Sequence, residues 1–338
     1  MKHIGVWVKL CIFMLLIILP IMALQFVSVN IHKKRVTEYQ LKLCSDYSQA
    51  VGSSFMNYIE GLWDTELAIG ETAIMQAKFN PEYMESYMKS VLSSQDTVKR
   101  YNILDSSGNI IASTFGKYTD VYLEDREHLL NIKEGNEKIV GAIIKSRLDN
   151  EAIMPVARGI YKNGKLLYII VAAVDVNRLG NCLPRYNDGL TSVTGLIDSN
   201  GMLVYSSDSE SLTYEQRKID KNSILLKALK GSTIKYDNYM FKENSKLYMG
   251  ICIPVNKIGW ASYNAVSKDE MLRAYKTYKQ NSSLYFLFII ILYFFIAAYI
   301  ARKFIKPMAA LRSVSDAISG GDLSVRTNMK GDGAIAAT

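Results

Sequence analysis

Two long apolar runs dominate the hydrophobic pattern of this chain. Residues 284–301 contain no charged side chain and are followed by Arg302 and Lys303. A helix of about 18 residues, rising about 1.5 Å per residue, reaches ~27 Å, close to the hydrocarbon thickness of a bilayer. A buried core helix is the alternative, but such helices rarely run this far without a polar face. The pattern therefore predicts a membrane span over residues 284–301.

The other apolar run, residues 10–29, is also long enough to span a membrane. It comes first in the chain and is the first span, and residues 284–301 are the second span. The first span is longer than a typical signal-peptide core and lacks a clear cleavage site, so we interpret it as an uncleaved anchor. Basic residues 302–312 predict cytoplasmic termini, although basic residues 32–35 argue the opposite; a long translocated domain weakens this charge rule. We expect a two-pass plasma-membrane protein, surrounded by lipid, with cytoplasmic residues 1–9 and extracytoplasmic residues 30–283.

The segment after the first span has a helical pattern. Apolar residues recur at spacings of three and four over residues 36–62, and no proline interrupts before Pro81. This predicts a helix that continues the first span for about 70 Å. One small domain cannot cover so long a stripe, so we expect part of it to pack against a second copy in a homodimer. Asn80, Pro81 and Glu82 predict the start of a short helix ending near Leu92.

Two strand-rich units follow and form an internal repeat. Each has two strands around an Asp-x-x-Gly turn, at Asp105 to Gly108 and at Asp198 to Gly201. Asp caps such turns and Gly accepts positive φ; a calcium loop is the alternative, but the EF-hand carboxylate series is absent. The predicted strands are 98–104, 109–114, 138–145, 152–161 and 165–176 in the first unit, and 192–197, 202–206, 233–241, 246–255 and 260–266 in the second.

These elements predict an α+β fold, a long N-terminal helix with two antiparallel sheets of the PAS type. The distal module covers about residues 98–183 and the proximal module about residues 190–266. Ser267 to Glu270 have the pattern of a capping box, which begins the helix running into the second span.

Composition excludes several other classes. The net charge of +8 is partly explained by the membrane flanks, so nucleic acid is not an expected partner. Four cysteines, one of them in the first span, and three scattered histidines show neither a disulfide framework nor zinc-ligand spacing. No arrangement of nucleophile and base is recognisable. We therefore expect no enzyme activity, metal or cofactor.

The sequence after the second span resembles the start of a HAMP domain, the four-helix relay below many bacterial receptors. That family has a proline, an amphipathic helix and then Gly-Asp-Leu. The matching residues are Pro307, Leu311, Gly321, Asp322 and Leu323. No second HAMP helix follows, so residues 302–338 are expected to be a partial HAMP segment. A diguanylate cyclase signature is excluded because Leu323 and Ser324 replace its Glu and Phe.

Residues 30–279 resemble a double Cache sensor domain. The resemblance rests most on residues 122–129, YLEDREHL, and 171–176, VAAVDV. In that family the Arg of the first segment points into a ligand pocket of the distal module, and the Asp closing the last strand accepts a hydrogen bond from the ligand. The resemblance thus implies that Arg126 binds an anionic group of the ligand and that Asp175 accepts a hydrogen bond from a ligand amine. In the alternative, Arg126 is structural and Asp175 caps the next segment.

Departures from the family bear on the ligand. His128 and Leu129 stand where amino-acid-binding members have an aromatic pair, and Ile144 replaces a pocket tyrosine. His128 either titrates near neutral pH beside a small anion or is a structural imidazole. The expected ligand is a small polar metabolite, an amino acid, an amine or a carboxylate. The candidate ligand-binding residues are Tyr122, Arg126, His128, Ile144, Ser146 and Asp175.

The resulting functional hypothesis is a transmembrane receptor, most consistent with chemotaxis, that relays ligand binding through the second span to HAMP. Two alternatives stay open. The chain could be the sensory portion of a histidine kinase or diguanylate cyclase whose catalytic domain lies outside it, or a ligand-free interaction module.

Overall fold

The structure, a computed structural model, describes residues 6–116, 123–185, 189–209, 211–241, 246–322 and 324. The chain divides into two compact units, one of residues 37–271 and one of residues 1–36 with 272–338. Several predicted features lie outside the described residues: Tyr122, residues 242–245 of the second strand-rich unit, and Leu323 with residues 325–338 of the HAMP-like segment.

The helices match the predicted pattern closely. They are α1 (Val6–Met75), α2 (Pro81–Leu92), α3 (Glu127–Lys133), α4 (Lys268–Ile300) and α5 (Lys306–Ser319). A π-helical turn, Ala301–Ile305, lies between α4 and α5, and Gly321 with φ of 93° follows α5. The Asn80 side chain caps α2 by accepting a hydrogen bond from the Tyr83 backbone N–H at 3.2 Å. That cap is confirmed because it depends only on local sequence.

Two antiparallel sheets confirm the predicted repeat. The distal sheet has β1 (Val98–Asp105), β2 (Ile110–Ser113), β3 (Lys138–Val140), β4 (Ile144–Lys145), β5 (Ala152–Lys162) and β6 (Lys165–Asp175). The proximal sheet has β7 (Ser192–Ile197), β8 (Leu203–Ser206), β9 (Ile234–Tyr239), β10 (Tyr248–Val255) and β11 (Trp260–Ser267). Their strand orders, β2-β1-β6-β5-β3 and β8-β7-β11-β10-β9, are equivalent; β4 also pairs with β5.

The predicted strand over residues 138–145 is wrong in its middle, where β3 and β4 are separate elements. Their neighbour β5 contains Pro155, which has no backbone N–H to donate to an adjacent strand. Gly141 lies opposite, and a Cβ there would come within 2.8 Å of the Pro155 ring. The interruption is therefore a consequence of one proline.

Both Asp-x-x-Gly turns form as predicted. Asp105 Oδ1 accepts hydrogen bonds from the backbone N–H groups of Ser107 and Asn109, at 3.0 and 2.9 Å. Asp198 Oδ1 accepts from Asn200 and Met202, at 2.9 and 2.8 Å. The turn glycines, Gly108 and Gly201, have φ of 97° and 76°, values that favour residues without a Cβ.

Helix α1 packs against both sheets through one continuous core. Val51, Phe55 and Ile59 are fully buried, and the Phe55 ring stacks on Trp260 of β11 at 5.0 Å. The expectation that a single domain could not cover this stripe is wrong over residues 51–62, because the two sheets of the same chain cover it. Tyr39, nearer the start of the stripe, is 61% exposed.

The predicted capping box is also wrong, although α4 begins where it was expected. Ser267 Oγ has no hydrogen-bond partner among the described residues. The Glu270 carboxylate accepts instead from the backbone N–H and the hydroxyl of Thr191, both at 2.7 Å. These bonds lower the Glu270 pKa. Glu270 thus bonds to Thr191, which is distant in sequence, and not to Ser267. These bonds connect the start of α4 to the segment before β7.

Two helical stretches, Leu15–Met75 and Lys268–Lys303, are candidate membrane spans by length and composition. Within their unit, Gln25 Nε2 donates to Ser282 Oγ at 2.5 Å. The His32 ring stacks on Tyr278 with centroids 3.8 Å apart. The two helices therefore contact one another where each leaves its apolar run.

Candidate functional site

A small cavity in the distal module brings together most of the predicted site residues. Arg126 immediately precedes α3, His128 lies in its first turn, Ile144 is on β4 and Ser146 follows it. All four line the cavity, whose volume is about 30 Å³. The complete lining is Arg100, Asn102, Leu123, Arg126, His128, Ile144, Ser146, Arg147, Leu148, Ile153, Pro155, Val171 and Ala173. Asp175 is not part of it.

Arg100 on β1 is a lining residue that sequence reasoning missed. It is 3% exposed, and its Nη1 donates to Asp149 Oδ2 at 2.7 Å while Nη2 donates to Ser146 Oγ at 2.6 Å. Burial raises the Asp149 pKa, but the bonds from Ser146 and Arg100 outweigh it and leave the pKa below its ordinary value. The sequence signal that could have identified Arg100 is a cation within a strand of mostly apolar residues. Such a cation is buried and therefore requires a buried partner.

Arg147 was also missed, and it forms an ion pair at the edge of the cavity. Its two terminal nitrogens each donate to a different carboxylate oxygen of Asp125, both at 2.7 Å. This two-bond geometry is the preferred one for Arg and carboxylate. Arg147 lowers the Asp125 pKa through these hydrogen bonds.

Arg126 differs from the other two arginines because no ion pair to a carboxylate forms within the described residues. Its Nη2 donates to the Lys145 carbonyl at 3.1 Å, and its buried Nε has no hydrogen-bond partner among those residues. Burial lowers the Arg126 pKa, and repulsion from Arg147 lowers it further. The described lining thus includes three guanidinium groups, and two carboxylates outside the lining, Asp149 and Asp125, pair with Arg100 and Arg147.

His128 is an uncharged wall of the same cavity. It is 5% exposed, and burial together with the charge of Arg126 lowers its pKa to about 4. The imidazole is therefore neutral at physiological pH. This agrees with the structural interpretation of His128 and not with titration near neutrality.

Asp175 closes β6, as expected, but its contacts lie elsewhere. Its Oδ1 accepts from the Asn177 N–H at 3.0 Å. Its Oδ2 lies 3.4 Å from Arg178 Nε and 3.9 Å from Lys99 Nζ. These contacts fit the alternative in which Asp175 caps the segment after β6. Its role as an amine acceptor stays a prediction.

Comparisons with known proteins agree on the fold. Residues 28–275 match the family model described as Cache domain. The extracellular domain of rpHK1S-Z16, described as a histidine kinase, superimposes with a TM-score of 0.54 at 16% identity, over 70% of this chain and 96% of that one. The ligand-binding domain of the Campylobacter jejuni chemoreceptor Tlp3, in complex with L-norvaline, superimposes with a TM-score of 0.52 at 16% identity, over 70% of this chain and 94% of that one.

A third solved structure is the extracellular domain of soHK1S-Z6, also described as a histidine kinase. It superimposes with a TM-score of 0.52 at 12% identity, over 72% of this chain and 99% of that one. A search of curated proteins found no match. These identities establish a shared fold and do not transfer a ligand. The family model, in contrast, spans most of the chain between the two apolar runs. The chain therefore belongs to the Cache domain family and shares the fold of the extracellular domains of the chemoreceptor and the histidine kinases named above.

Proposed function

We propose that this chain is the sensory part of a two-pass membrane receptor whose distal module binds a small metabolite with a carboxylate group. The observation that carries the proposal is the charge of Arg126, which forms no ion pair among the described residues, in a cavity where the two other arginines are paired. A partly buried guanidinium without a counter-ion is costly, and a ligand carboxylate supplies that counter-ion in two-bond geometry.

The size of the cavity constrains the binding event. A volume of about 30 Å³ has room for only about one or two water molecules by the usual ~10–15 Å³ criterion. Side chains must therefore move for a metabolite to bind. The lining is polar on one wall, at Arg100, Asn102 and Ser146, and apolar at Ile144 and Ile153. A carboxylate with a short aliphatic part fits this division.

Amino acids belong to the candidate ligands because the related Tlp3 domain was crystallised with L-norvaline. In this chain an ammonium group would compete with Lys99 and Arg178 for Asp175. Simple carboxylates face no such competition. We therefore rank carboxylates first, amino acids second and amines without a carboxylate last.

Signal transmission uses the continuity of β11 and α4. The strand ends at Ser267, and the helix Lys268–Ile300 begins at the next residue and contains residues 284–300 of the C-terminal apolar run. Residues 302–338 then act as the beginning of a HAMP relay toward a cytoplasmic output, most consistent with chemotaxis. Ligand binding shifts this helix only by its differential affinity for two states, typically about 1–3 kcal/mol.

The histidine-kinase extracellular domains among the similar structures support a second candidate, the sensory part of a kinase. Both candidates use the same ligand site and differ in the output domain. Sequencing of the gene beyond the codon for Thr338 distinguishes a kinase, a cyclase and a chemoreceptor.

The ligand proposal is tested by calorimetry on the full chain in lipid nanodiscs with a panel of carboxylates and amino acids. Arg126→Ala should cost about 2–5 kcal/mol of binding free energy, because it leaves the ligand charge buried without a partner. Lys162→Ala, which removes an exposed cation at the end of β5, is the matched control. Unchanged affinity in Arg126→Ala, with melting curves showing a folded protein, would reject Arg126 as the clamp.

A further inference from the structure

The proximal module contains a larger cavity that the distal-site proposal does not use. Its volume is about 490 Å³, within the usual range of small-molecule sites. One wall is the segment after β6, including Asn177 and Gly180, and the other is formed by β7, β8 and the residues that follow them. Among its described lining residues the charged side chains are Arg185 and Arg217, and none of these described residues carries a carboxylate.

Arg217 is a buried cation that forms no ion pair with any described acidic residue. It is 2% exposed, and Nη1 donates to the carbonyls of Leu203 and Val204 at 2.8 and 2.9 Å. Its Nη2 donates to Asn177 Oδ1. Its buried Nε has no partner, and it forms no ion pair, within the described part of the chain. Burial lowers its pKa to about 10, while attraction to Asp175 opposes the shift, so the charge persists at neutral pH.

Tyr205 and Ser207, two other lining residues, can donate hydrogen bonds to an anion. Tyr205 is half-buried and lies within electrostatic range of Arg185. Ser207 Oγ accepts from the Thr194 N–H at 2.9 Å, which leaves its own O–H hydrogen to donate. The carboxylate of Asp208, outside the lining, accepts bonds from the hydroxyls of Ser206 and Ser209. Two guanidinium groups and several hydroxyls in a concave site are the chemistry that recognises carboxylates.

A neighbouring cavity of about 370 Å³ also reaches Arg217, but its composition is different. Its lining includes Asp208, Lys218 and Asp220, so the charges of both signs offset one another. An anionic ligand would meet two carboxylates there. The 490 Å³ cavity is the better anion site, because the charged residues among its described lining are both arginines.

We propose that the proximal cavity between the segment after β6 and strands β7 and β8 is a second ligand site, which binds a small organic carboxylate through Arg217 and Arg185. Thr194 on β7, a lining residue, is the register partner of Asn264 on β11 and accepts a hydrogen bond from its side chain at 2.5 Å. Strand β11 leads directly into α4. A ligand in this cavity therefore contacts β7, and the neighbouring strand β11 leads into α4, the helix that we propose enters the membrane.

The test measures binding of lactate, succinate, citrate and inorganic phosphate to the full chain in lipid nanodiscs by calorimetry. Arg185 is exposed, so Arg185→Gln leaves the fold intact and should weaken carboxylate binding about tenfold or more. Tyr205→Phe, which removes only a hydroxyl, should weaken it less. The control Lys227→Gln removes an exposed cation of the same module and should leave affinity unchanged.

Arg126→Ala separates this site from the distal one. Carboxylate binding that survives Arg126→Ala and is weakened by Arg185→Gln supports the proximal site whatever the fate of the distal proposal. Binding abolished by Arg126→Ala but unchanged in Arg185→Gln and Tyr205→Phe overturns it. The proposal is also overturned if none of the three carboxylates binds at millimolar concentration, or if phosphate alone binds.

Discussion

At the scale of single residues, Glu66 shows how burial changes the chemistry of a carboxyl group. It lies on α1 with no exposed surface, and its Oε1 accepts from the Ala172 N–H of β6 at 3.1 Å. Its Oε2 has no partner among the described residues. Burial raises its pKa well above the ordinary value, more than the Ala172 bond lowers it. Burial therefore favours the protonated form of this carboxyl group over its ionised form, because neutral oxygens are buried at lower cost.

This raised pKa predicts a pH dependence of stability. Above the ordinary glutamate pKa, the unfolded state loses a proton that the folded state keeps, so the free energy of unfolding falls as pH rises, by at most ~1.4 kcal/mol per pH unit. Glu66→Gln removes this dependence. The variant should match the wild type in acid and become progressively more stable than it toward neutral pH, up to the raised pKa.

Urea unfolding of segment 37–271, one compact unit, measures this effect across the acid-to-neutral range. Glu71→Gln, an exposed glutamate on the same helix, should leave the pH profile parallel to that of the wild type. A constant difference between Glu66→Gln and the wild type at all pH values would show that folding does not change the Glu66 pKa, and would contradict this prediction.

At the scale of secondary-structure elements, α1 has one face against the sheets and one toward solvent. Gly61 lies on the exposed face, where an added Cβ would meet no atom within 4 Å. Gly70 is buried against β5, where an added Cβ would lie 2.3 Å from Ile160 Cδ1. The same substitution therefore has opposite effects at two positions of one helix.

Gly61→Ala should raise the free energy of unfolding by about 0.5–1 kcal/mol, because alanine restricts the unfolded chain and favours helix. Gly70→Ala should lower it by about 1–3 kcal/mol, because Ile160 is displaced within a packed core. Chemical denaturation of both variants in segment 37–271 measures the two values. Destabilisation by Gly61→Ala would mean that this face of α1 is covered in solution.

At the scale of the whole molecule, the first question is on which side of the membrane the sensor domain lies. We predict that residues 30–283 are extracytoplasmic. Asn200 is exposed in the turn between β7 and β8, so a cysteine there, in a chain without its natural cysteines, should react with a membrane-impermeant maleimide in intact cells. Labelling only after lysis would reverse the predicted topology.

The second question at this scale is assembly, for which we predict a parallel homodimer along the first part of the α1 stripe. Cys44 is 1% exposed and so cannot report on it, whereas Tyr39 is 61% exposed. A cysteine at Tyr39 in the same background should form an intermolecular disulfide in membranes, and the Asn200 variant should not. Equal crosslinking of both variants, or of neither, would contradict this interface.

The sequence by itself determined the elements of this protein and their repeat. Helical and strand periodicity, the Asn80 cap and the two Asp-x-x-Gly turns depend on neighbours within about four residues, so the order of residues is sufficient to predict them. The segment containing Arg126 was found by its resemblance to a family, and its place at a cavity agrees with that resemblance.

Only the tertiary structure decided which charges are paired, because those partners are distant in sequence. Asp149 pairs with Arg100 from 49 positions away. Thr191 donates hydrogen bonds to the Glu270 carboxylate from 79 positions away. Arg217 is buried without an acidic partner among the described residues. Periodicity reveals that a side chain is buried but not what it contacts. The free energy of a buried charge depends on that contact, so the candidate binding sites became visible only in the folded chain.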